Sequence, residues 1–282
     1  MAEILKGKPV AEFLESEIMK EVSNLKEKNI YPKLGIIGIN VNEESRAYSD
    51  NIEKVFGKLG IKVEKKFYDE SISLEELKEI FINLKNDDSI HGILLLRPLP
   101  EYFEKQKVYK FLPSRKDIEG LTYENCGRLF YGEKSFVPCT PLAVLELLDF
   151  YNIPIEGKHV VIVGRSISVG RPLSLLFLNR NATVTICHSK TKDLALLTRQ
   201  ADILVSAVGK ANFIDENMVN ENAIVIDVGT NIIDGKIVGD VNFENVKKKV
   251  KAITPVPGGI GIITIRTLAK NLLRAVKNEV EI

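Results

Sequence analysis

Short apolar segments alternate with stretches of helical periodicity along the chain, and this alternation limits the fold more than any other feature. Apolar residues at helical spacing predict a helix over 9–28, and the β-branched segment 34–41 predicts the strand that follows. The same order recurs as far as a buried strand over 91–96. Because a crossover helix returns the chain to the start of the next strand, such alternation is typical of a parallel sheet. The first half is therefore predicted to be an α/β domain.

A second series of the same kind follows the loop 113–138 and a connecting helix over 141–151. Its predicted strands are 158–163, 182–186, 203–207 and 223–228, and its predicted helices are 170–179 and 192–200. Asp234-Gly235 between short apolar segments predicts a hairpin. A Pro/Gly-rich segment then leads to a last helix that begins near Thr264. We expect two α/β domains: 1–138, completed by the closing segment 264–282, and 139–263.

Composition narrows the class of partner. The 282 residues carry 39 Lys+Arg against 38 Asp+Glu, a formal net charge of +1. Nucleic acids and membrane surfaces attract clustered positive charge, so we expect neither as a partner. No apolar run reaches the roughly 18 residues of a membrane span, and the amino terminus has no apolar leader, so a cytoplasmic protein is expected. The three cysteines and three histidines show no metal-ligand spacing, and no metal site is predicted.

The sharpest local feature is the glycine-containing turn 164–170, which follows an apolar strand and precedes a helix. That is the context in which a dinucleotide pyrophosphate binds at a helix N-terminus. Gly164 allows a tight turn and Gly170 allows close packing of helix on strand. Ser166 stands where the usual fingerprint has its second glycine. The flanking strand and helix patterns nevertheless favour a Rossmann-type dinucleotide site at Gly164, Arg165, Ser166 and Gly170.

The next strand indicates which dinucleotide binds. NAD sites usually place Asp or Glu on the ribose 2′-hydroxyl about 20 residues after the glycine turn. Here the strand ends in Cys187-His188-Ser189-Lys190, without a carboxylate. Arg165 and Ser189 could contact a 2′-phosphate, with Lys190 nearby, so NADP is the expected cofactor. The alternative is that these residues belong to a solvated turn.

Further motifs occur in a fixed order along nearly the whole chain. They are GKPVA (7–11), SRAY (45–48), GILLLRPLP (92–100), KDIEG (116–120), NCGRL (125–129), PCTP (138–141), GRSISVGRP (164–172), CHSKT (187–191), DILVSAVGK (202–210), AIVIDVGTN (223–231), VGDVNFE (238–244) and TPVPGGIG (254–261). Together they resemble the methylenetetrahydrofolate dehydrogenase/cyclohydrolase family.

The resemblance implies a folate-binding catalytic first domain, an NADP-binding Rossmann domain, a cleft between them and a homodimer. It also implies oxidation of 5,10-methylenetetrahydrofolate by hydride transfer to NADP, followed by hydrolysis to 10-formyltetrahydrofolate in one-carbon metabolism and purine biosynthesis. Its motifs assign the nicotinamide contact to Thr230. They assign the folate site to Tyr48, Pro98, Leu99, Glu119, Gly258 and Gly259. Tyr48 is also the candidate catalytic residue. We expect Asp227 to support the end of its strand.

The sequence departs from the family pattern where proton transfer is expected. Ile52 and Leu96 stand where the family has Lys and Gln, and the pterin-binding Asp is Glu119. Ile262 replaces a proline of the last motif. Hydrolysis needs positioned polar groups. We therefore expect an NADP-dependent dehydrogenase with weak or absent cyclohydrolase activity. The alternatives are a bifunctional enzyme that also forms 10-formyltetrahydrofolate, and a catalytically impaired folate- or nucleotide-binding paralogue.

Overall fold

The structure is a computed structural model that describes residues 2–277. Residues 278–282, the end of the expected closing segment, lie outside the described residues. The chain forms two compact units, each built from two segments. Residues 14–137 and 268–277 form what we call the N-terminal unit, and residues 2–13 and 138–267 form the C-terminal unit. The segment that begins the chain therefore belongs to the C-terminal unit.

The elements follow one another in the alternating order expected from the sequence. The strands are β1 (Glu3–Ile4), β2 (Lys33–Ile39), β3 (Lys62–Tyr68), β4 (Gly92–Leu95), β5 (His159–Val163), β6 (Thr183–Cys187), β7 (Ile203–Ser206), β8 (Ile224–Asp227), β9 (Asn231–Ile233), β10 (Lys236–Val238) and β11 (Ala252–Ile253). The helices are α1 (Gly7–Glu27), α2 (Glu43–Lys58), α3 (Leu74–Asn86), α4 (Glu101–Gln106), α5 (Tyr123–Phe130), α6 (Cys139–Phe150), α7 (Gly170–Leu178), α8 (Leu194–Thr198), α9 (Phe243–Val246) and α10 (Ile260–Val276).

The N-terminal unit contains a three-stranded parallel sheet in the order β3-β2-β4. Leu34 of β2 pairs with Val63 on one side and with Gly92 on the other. The central strand β2 is buried along nearly its whole length, which explains its continuous apolar sequence. Asn42 begins α2 because its side chain accepts a hydrogen bond from the backbone N–H of Ser45 at 2.8 Å.

The C-terminal unit contains a six-stranded sheet in the order β1-β11-β8-β7-β5-β6, in which every neighbouring pair is parallel. Its central strands β5 and β7 carry apolar side chains that pack on both faces of the sheet. The two-α/β-unit fold with a parallel sheet confirms the fold class expected from the sequence.

Some elements differ from the expectation. The two-residue strands β1 and β11 are too short to produce a periodic pattern, and α5 lies within the segment 113–138, which was expected to be loop. The last helix begins at Ile260, four residues before the expected Thr264. Asp234 and Gly235, both with positive φ, do form a hairpin turn between β9 and β10. Within residues 2–277, the helices are all too short or too polar to cross a membrane.

Candidate dinucleotide and folate sites

The turn after β5 adopts a conformation that only glycine can supply. Gly164 has φ +134°, and a Cβ at this position would overlap the carbonyl oxygen of Ala207. Its N–H donates to the carbonyl of Cys187 at 2.9 Å, which holds the turn against the end of β6. The backbone therefore stays close to the sheet at the point where α7 begins.

Ser166 and Gly170 complete this turn. A Cβ on Gly170 would overlap the carbonyl oxygen of Gly164, so the first turn of α7 packs directly on the end of β5. The Ser166 hydroxyl accepts a hydrogen bond from the N–H of Val169 at 3.1 Å. The serine thus caps the turn with its side chain, which gives a physical reason for its departure from glycine. The result is a cradle, formed by backbone, that suits a pyrophosphate and that a Cβ would fill.

The sheet order places this cradle at a topological switch point. From β5 the chain passes to β6 on one side, and then returns to β7 on the other side. In open parallel sheets, ligands bind in the crevice outside the carboxyl ends of the strands at such a point. The turn 164–170 lies there and leads directly into the N-terminus of α7, the positive end of the helix dipole.

The segment after β6 forms a second preorganised turn. The His188 N–H donates to the Thr191 hydroxyl at 2.8 Å, and the imidazole Nδ1 of His188 accepts from the N–H of Lys190 at 3.1 Å. Ser189 and Lys190 are exposed, as is Arg165 in the neighbouring turn. These three residues follow adjacent strands, β5 and β6, at the same edge of the sheet. An anionic group could be bound there.

Asp227 ends β8 and is almost completely buried. Its carboxylate accepts hydrogen bonds from the backbone N–H groups of Gly229 (2.9 Å), Asp240 (3.1 Å) and Val241 (2.9 Å). Burial raises the pKa of Asp227 to about 6, and the nearby Asp240 carboxylate also raises it, against the lowering effect of the three N–H donors. The Asp227 carboxylate is thus held in place by hydrogen bonds from backbone N–H groups.

A cavity of about 190 Å³ lies beside the end of β8 in the C-terminal unit. Its lining residues come from two segments, 227–230 and 255–262, together with Ile237. The cavity therefore brings the candidate folate residues Gly258 and Gly259 together with the candidate nicotinamide residue Thr230. Gly258 has φ +103°, and its carbonyl accepts from the N–H of Gly7 at 2.8 Å.

The remaining candidate folate residues lie in the N-terminal unit. Tyr48 is on α2 and is 39% exposed. The hydroxyl of Ser45, one turn earlier, donates to the carbonyl of Arg97 at 3.1 Å and so fixes α2 to the segment that carries Pro98 and Leu99.

The two positions that depart from the family pattern are both in the core of this unit. Ile52 is 0% exposed and Leu96 is 3% exposed. Ile52 lies on the same side of α2 as Val55 and Leu59, which are also buried. Because the side chains of both Ile52 and Leu96 are apolar, neither has a polar group that would need a hydrogen-bond partner in the core.

Glu119 is half-buried in a loop with both flanks fixed. The buried carboxylate of Asp117 joins the two flanks, because it accepts from the N–H of Thr122 at 2.8 Å and from the side-chain amide of Asn125 at 3.1 Å. Burial raises the pKa of Asp117. The Asn271 amide also donates to the carbonyl of Ile118, the residue before Glu119, at 2.8 Å. Glu119 thus sits on a backbone with little freedom, as a substrate-positioning group requires.

Sequence reasoning did not single out Asp117, Asn271 or Asp240, although each organises a candidate site. Asp117 and Asp240 occur within the motifs KDIEG and VGDVNFE, but their roles depend on donors that lie elsewhere in the sequence. For Asp240, the available signal was a single acid beside glycine in a mostly apolar segment. That signal does not reveal which groups the acid contacts.

A fully parallel sheet with a glycine cradle at its switch point defines the class of dinucleotide-binding α/β proteins. Comparison with known proteins narrows this class. Residues 138–280 match the family described as "Tetrahydrofolate dehydrogenase/cyclohydrolase, NAD(P)-binding domain", and residues 5–119 match its "catalytic domain". The chain belongs to the tetrahydrofolate dehydrogenase/cyclohydrolase family, which confirms the resemblance noted from the sequence.

Known relatives are similar to this chain over nearly its whole length. The "Bifunctional protein FolD" of Dictyoglomus turgidum is 60% identical over 277 residues, which cover 98% of this chain and 99% of that protein. The protein of the same name from Clostridium perfringens strain SM101 is 48% identical over 97% of this chain and 99% of its own length.

Solved structures agree with this assignment. A bifunctional FolD from Campylobacter jejuni has a TM-score of 0.96 at 42% identity, with 99% of this chain and 100% of that chain covered. A FolD from Trypanosoma brucei, "complexed with NADP cofactor and inhibitor", has a TM-score of 0.92 at 33% identity. The match covers 100% of this chain and 99% of that chain. The names of these relatives favour the bifunctional alternative over the expectation of weak cyclohydrolase activity.

Proposed function

We propose that this protein oxidises 5,10-methylenetetrahydrofolate with NADP and then hydrolyses 5,10-methenyltetrahydrofolate to 10-formyltetrahydrofolate. The observation that carries the proposal is the full-length similarity to bifunctional FolD proteins, at up to 60% identity among those given above. The glycine cradle and the fixed loop of Glu119 agree with it, because they provide one backbone suited to a dinucleotide and another suited to a substrate.

The first reaction requires mainly orientation. NADP, when bound, supplies the nicotinamide ring that accepts a hydride from the one-carbon unit of the folate. The nitrogen lone pairs of the substrate stabilise the cation that forms, so the protein needs no acid or base for this step. Its residues act by holding two ligands: the turn 164–170 binds the pyrophosphate, and Glu119 accepts hydrogen bonds from the pterin ring.

The preference for NADP rests on Arg165, Ser189 and Lys190. Two cations and a hydroxyl follow adjacent strands, and positions 187–190 carry no carboxylate to repel a 2′-phosphate. The expected test compares kcat/KM for NADP with that for NAD. A clear preference for NAD would contradict this assignment.

The second reaction adds water and moves protons, and Tyr48 is the candidate group for it. The side chains of Ile52 and Leu96 have no group that can donate or accept a proton, and both are buried. This observation supports a second candidate function, a dehydrogenase in which hydrolysis is slow. We place the bifunctional enzyme first because its support covers the whole chain, whereas the second candidate depends on two positions.

One experiment distinguishes the bifunctional enzyme from a dehydrogenase in which hydrolysis is slow. Purified protein is mixed with 5,10-methenyltetrahydrofolate, and the loss of its absorbance is corrected for spontaneous hydrolysis. The bifunctional proposal predicts enzyme-dependent hydrolysis that Tyr48→Phe reduces, whereas Tyr31→Phe, an exposed control, leaves it unchanged. Hydrolysis at the spontaneous rate, together with normal NADP reduction from methylenetetrahydrofolate, would favour the second candidate.

The homodimer implied by the family is also part of the proposal. Sedimentation equilibrium should give twice the mass of a chain of 31.6 kDa. A species with the mass of one chain would contradict it.

A further inference from the structure

Asp240 is fully buried, yet its carboxylate has an unusually complete set of hydrogen-bond donors. One oxygen accepts from two groups and the other from three. The donors are Lys210 N (2.9 Å) and Asn231 Nδ2 (3.0 Å) for Oδ1, and Val208 N (2.7 Å), Gly209 N (3.2 Å) and Ser206 Oγ (3.2 Å) for Oδ2. Five donors compensate for the desolvation of one charge, so the contacts depend on the carboxylate being present.

These donors belong to two different connections. Segment 206–210 begins at the last residue of β7, and Asn231 lies after the end of β8. The carboxylate also packs flat against Gly229, where a Cβ would overlap it. Asp240 therefore joins the segments that leave the carboxyl ends of two neighbouring parallel strands, and it holds them at one separation.

Asp227 extends the connection to the sheet itself. Its carboxylate accepts from the N–H groups of Gly229 and Asp240, and its own N–H donates to the Thr254 hydroxyl at 2.8 Å. The two carboxylates thus form a continuous network from the end of β8 to segment 206–210. Thr230, which is exposed, lies between two residues that this network fixes, Gly229 and Asn231.

The sheet order indicates which part of a dinucleotide lies over this network. The cradle at 164–170 follows β5, and Ser189 follows β6, at one edge of the sheet. A dinucleotide with its pyrophosphate in the cradle and its 2′-phosphate near Ser189 can extend only toward β7 and β8 in the other direction. The nicotinamide half therefore approaches segments 206–210 and 228–231.

We propose that Asp240 is a positioning residue that holds these two segments in the arrangement needed by the nicotinamide half of NADP. The inference rests on the proposed function. Asp240 does not touch the dinucleotide. It acts through the backbone of segments 206–210 and 228–231, and the hydride-transfer distance depends on that backbone.

The test replaces Asp240 with asparagine. The amide keeps one acceptor oxygen but turns an NH2 group toward N–H donors, so one of the two connections is lost. Misplacement of a reacting group by about 1 Å can lower the rate of a reaction about 100-fold. We expect D240N to lower kcat for NADP reduction by at least about tenfold.

A binding readout separates positioning from general damage. Calorimetry compares NADP with 2′,5′-ADP, a fragment that carries the adenosine and 2′-phosphate but no nicotinamide. In D240N we expect weaker binding of NADP, with binding of 2′,5′-ADP unchanged within about twofold. Equal losses for NADP and the fragment would overturn the proposal, because they would indicate a disturbed sheet edge as a whole.

Asn231→Ala keeps the inference testable if D240N does not fold. It removes a single donor to Asp240, and we expect the same selective pattern with a fall in kcat of about threefold. Asn222→Ala is the matched control, since Asn222 is exposed at the opposite end of β8. Normal kcat in both D240N and Asn231→Ala overturns the role of Asp240 while leaving the proposed function intact. A wild-type protein that does not bind NADP overturns both.

Discussion

The Cα of Gly170 lies so close to the carbonyl oxygen of Gly164 that a Cβ on Gly170 would overlap it. The first residue of α7 and the residue that follows β5 therefore meet through their backbones. The closeness brings the N–H groups at the start of α7 to the carboxyl end of the sheet. The pyrophosphate cradle thus depends on this pair of glycines, and changes at Gly170 should affect both stability and dinucleotide binding.

Gly170→Ala is expected to reduce stability by about 1–3 kcal/mol, because a methyl group must displace backbone. NADP binding should weaken in parallel, which calorimetry measures directly. Gly57→Ala is the matched control: nothing lies within 4 Å of the added methyl, and the site is in the last helical turn of α2. Alanine there should stabilise the protein by about 0.5–1 kcal/mol. Unchanged NADP binding in Gly170→Ala would contradict the assignment of the cradle.

Ser189→Asp should change the dinucleotide preference. A carboxylate beside the proposed 2′-phosphate site repels that phosphate, so kcat/KM for NADP should fall about tenfold or more, with little change for NAD. Asn222→Asp adds the same charge at an exposed position away from this edge and should leave both values unchanged. The ratio of the two kcat/KM values is the measurement, and an unaltered ratio in Ser189→Asp would argue against a 2′-phosphate contact.

Ile52→Lys tests whether the core of the N-terminal unit can accept the residue type common in the family. The side chain of Ile52 is 0% exposed, so a lysine must either be buried without its charge or force α2 outward. We expect a loss of stability of about 3 kcal/mol or more. Ile82→Lys, at a helix position that is 57% exposed, should cost little. Equal unfolding midpoints for the two variants would show that position 52 accommodates a charge.

Asp227→Asn should change how stability varies with pH. The folded pKa of Asp227 is about 6, above the unfolded value of 3.8, so the folded state binds the extra proton between these limits. The contribution of this proton to the free energy of unfolding is fully present below about pH 4 and is lost as the pH rises through 6. The free energy of unfolding of the wild type, minus that of the variant, should therefore fall by about 3 kcal/mol from pH 4 to pH 7.

Taking the difference removes the contributions of other titrating groups that the two proteins share. Asp234→Asn, at an exposed turn, serves as the control and should show no such trend. A flat difference for Asp227→Asn would contradict a raised pKa at this site.

The elements that the sequence predicted well are those with enough residues to show a period. The helical spacing of Ile52, Val55 and Leu59 accounts for the burial of all three side chains. The hairpin at Asp234-Gly235 was predictable because the turn chemistry is local. Neither β1 nor β11 was predictable: each has two residues, and each exists because its partner strand is present.

The candidate sites also include features that depend on nearby residues, which were predictable, and features that depend on distant residues, which were not. The cradle could be predicted because Gly164 and Gly170 lie within seven residues of each other between a strand and a helix. The role of Asp240 could not, because its donors lie from 9 to 34 positions away. A sequence shows that an acid is present, but burial and the approach of distant N–H groups decide what it does.

The two-segment construction of each unit has a consequence for synthesis. β1 finds its partner β11 only after the intervening strands have been made, and Asn271 is needed to hold the loop near Ile118. Closing such long loops costs chain entropy before the contacts form, and it slows folding. Neither unit can be completed while the ribosome still holds residues 252–271. The nascent chain therefore carries unfinished sheet edges for most of its translation, which is when assistance by chaperones would matter most.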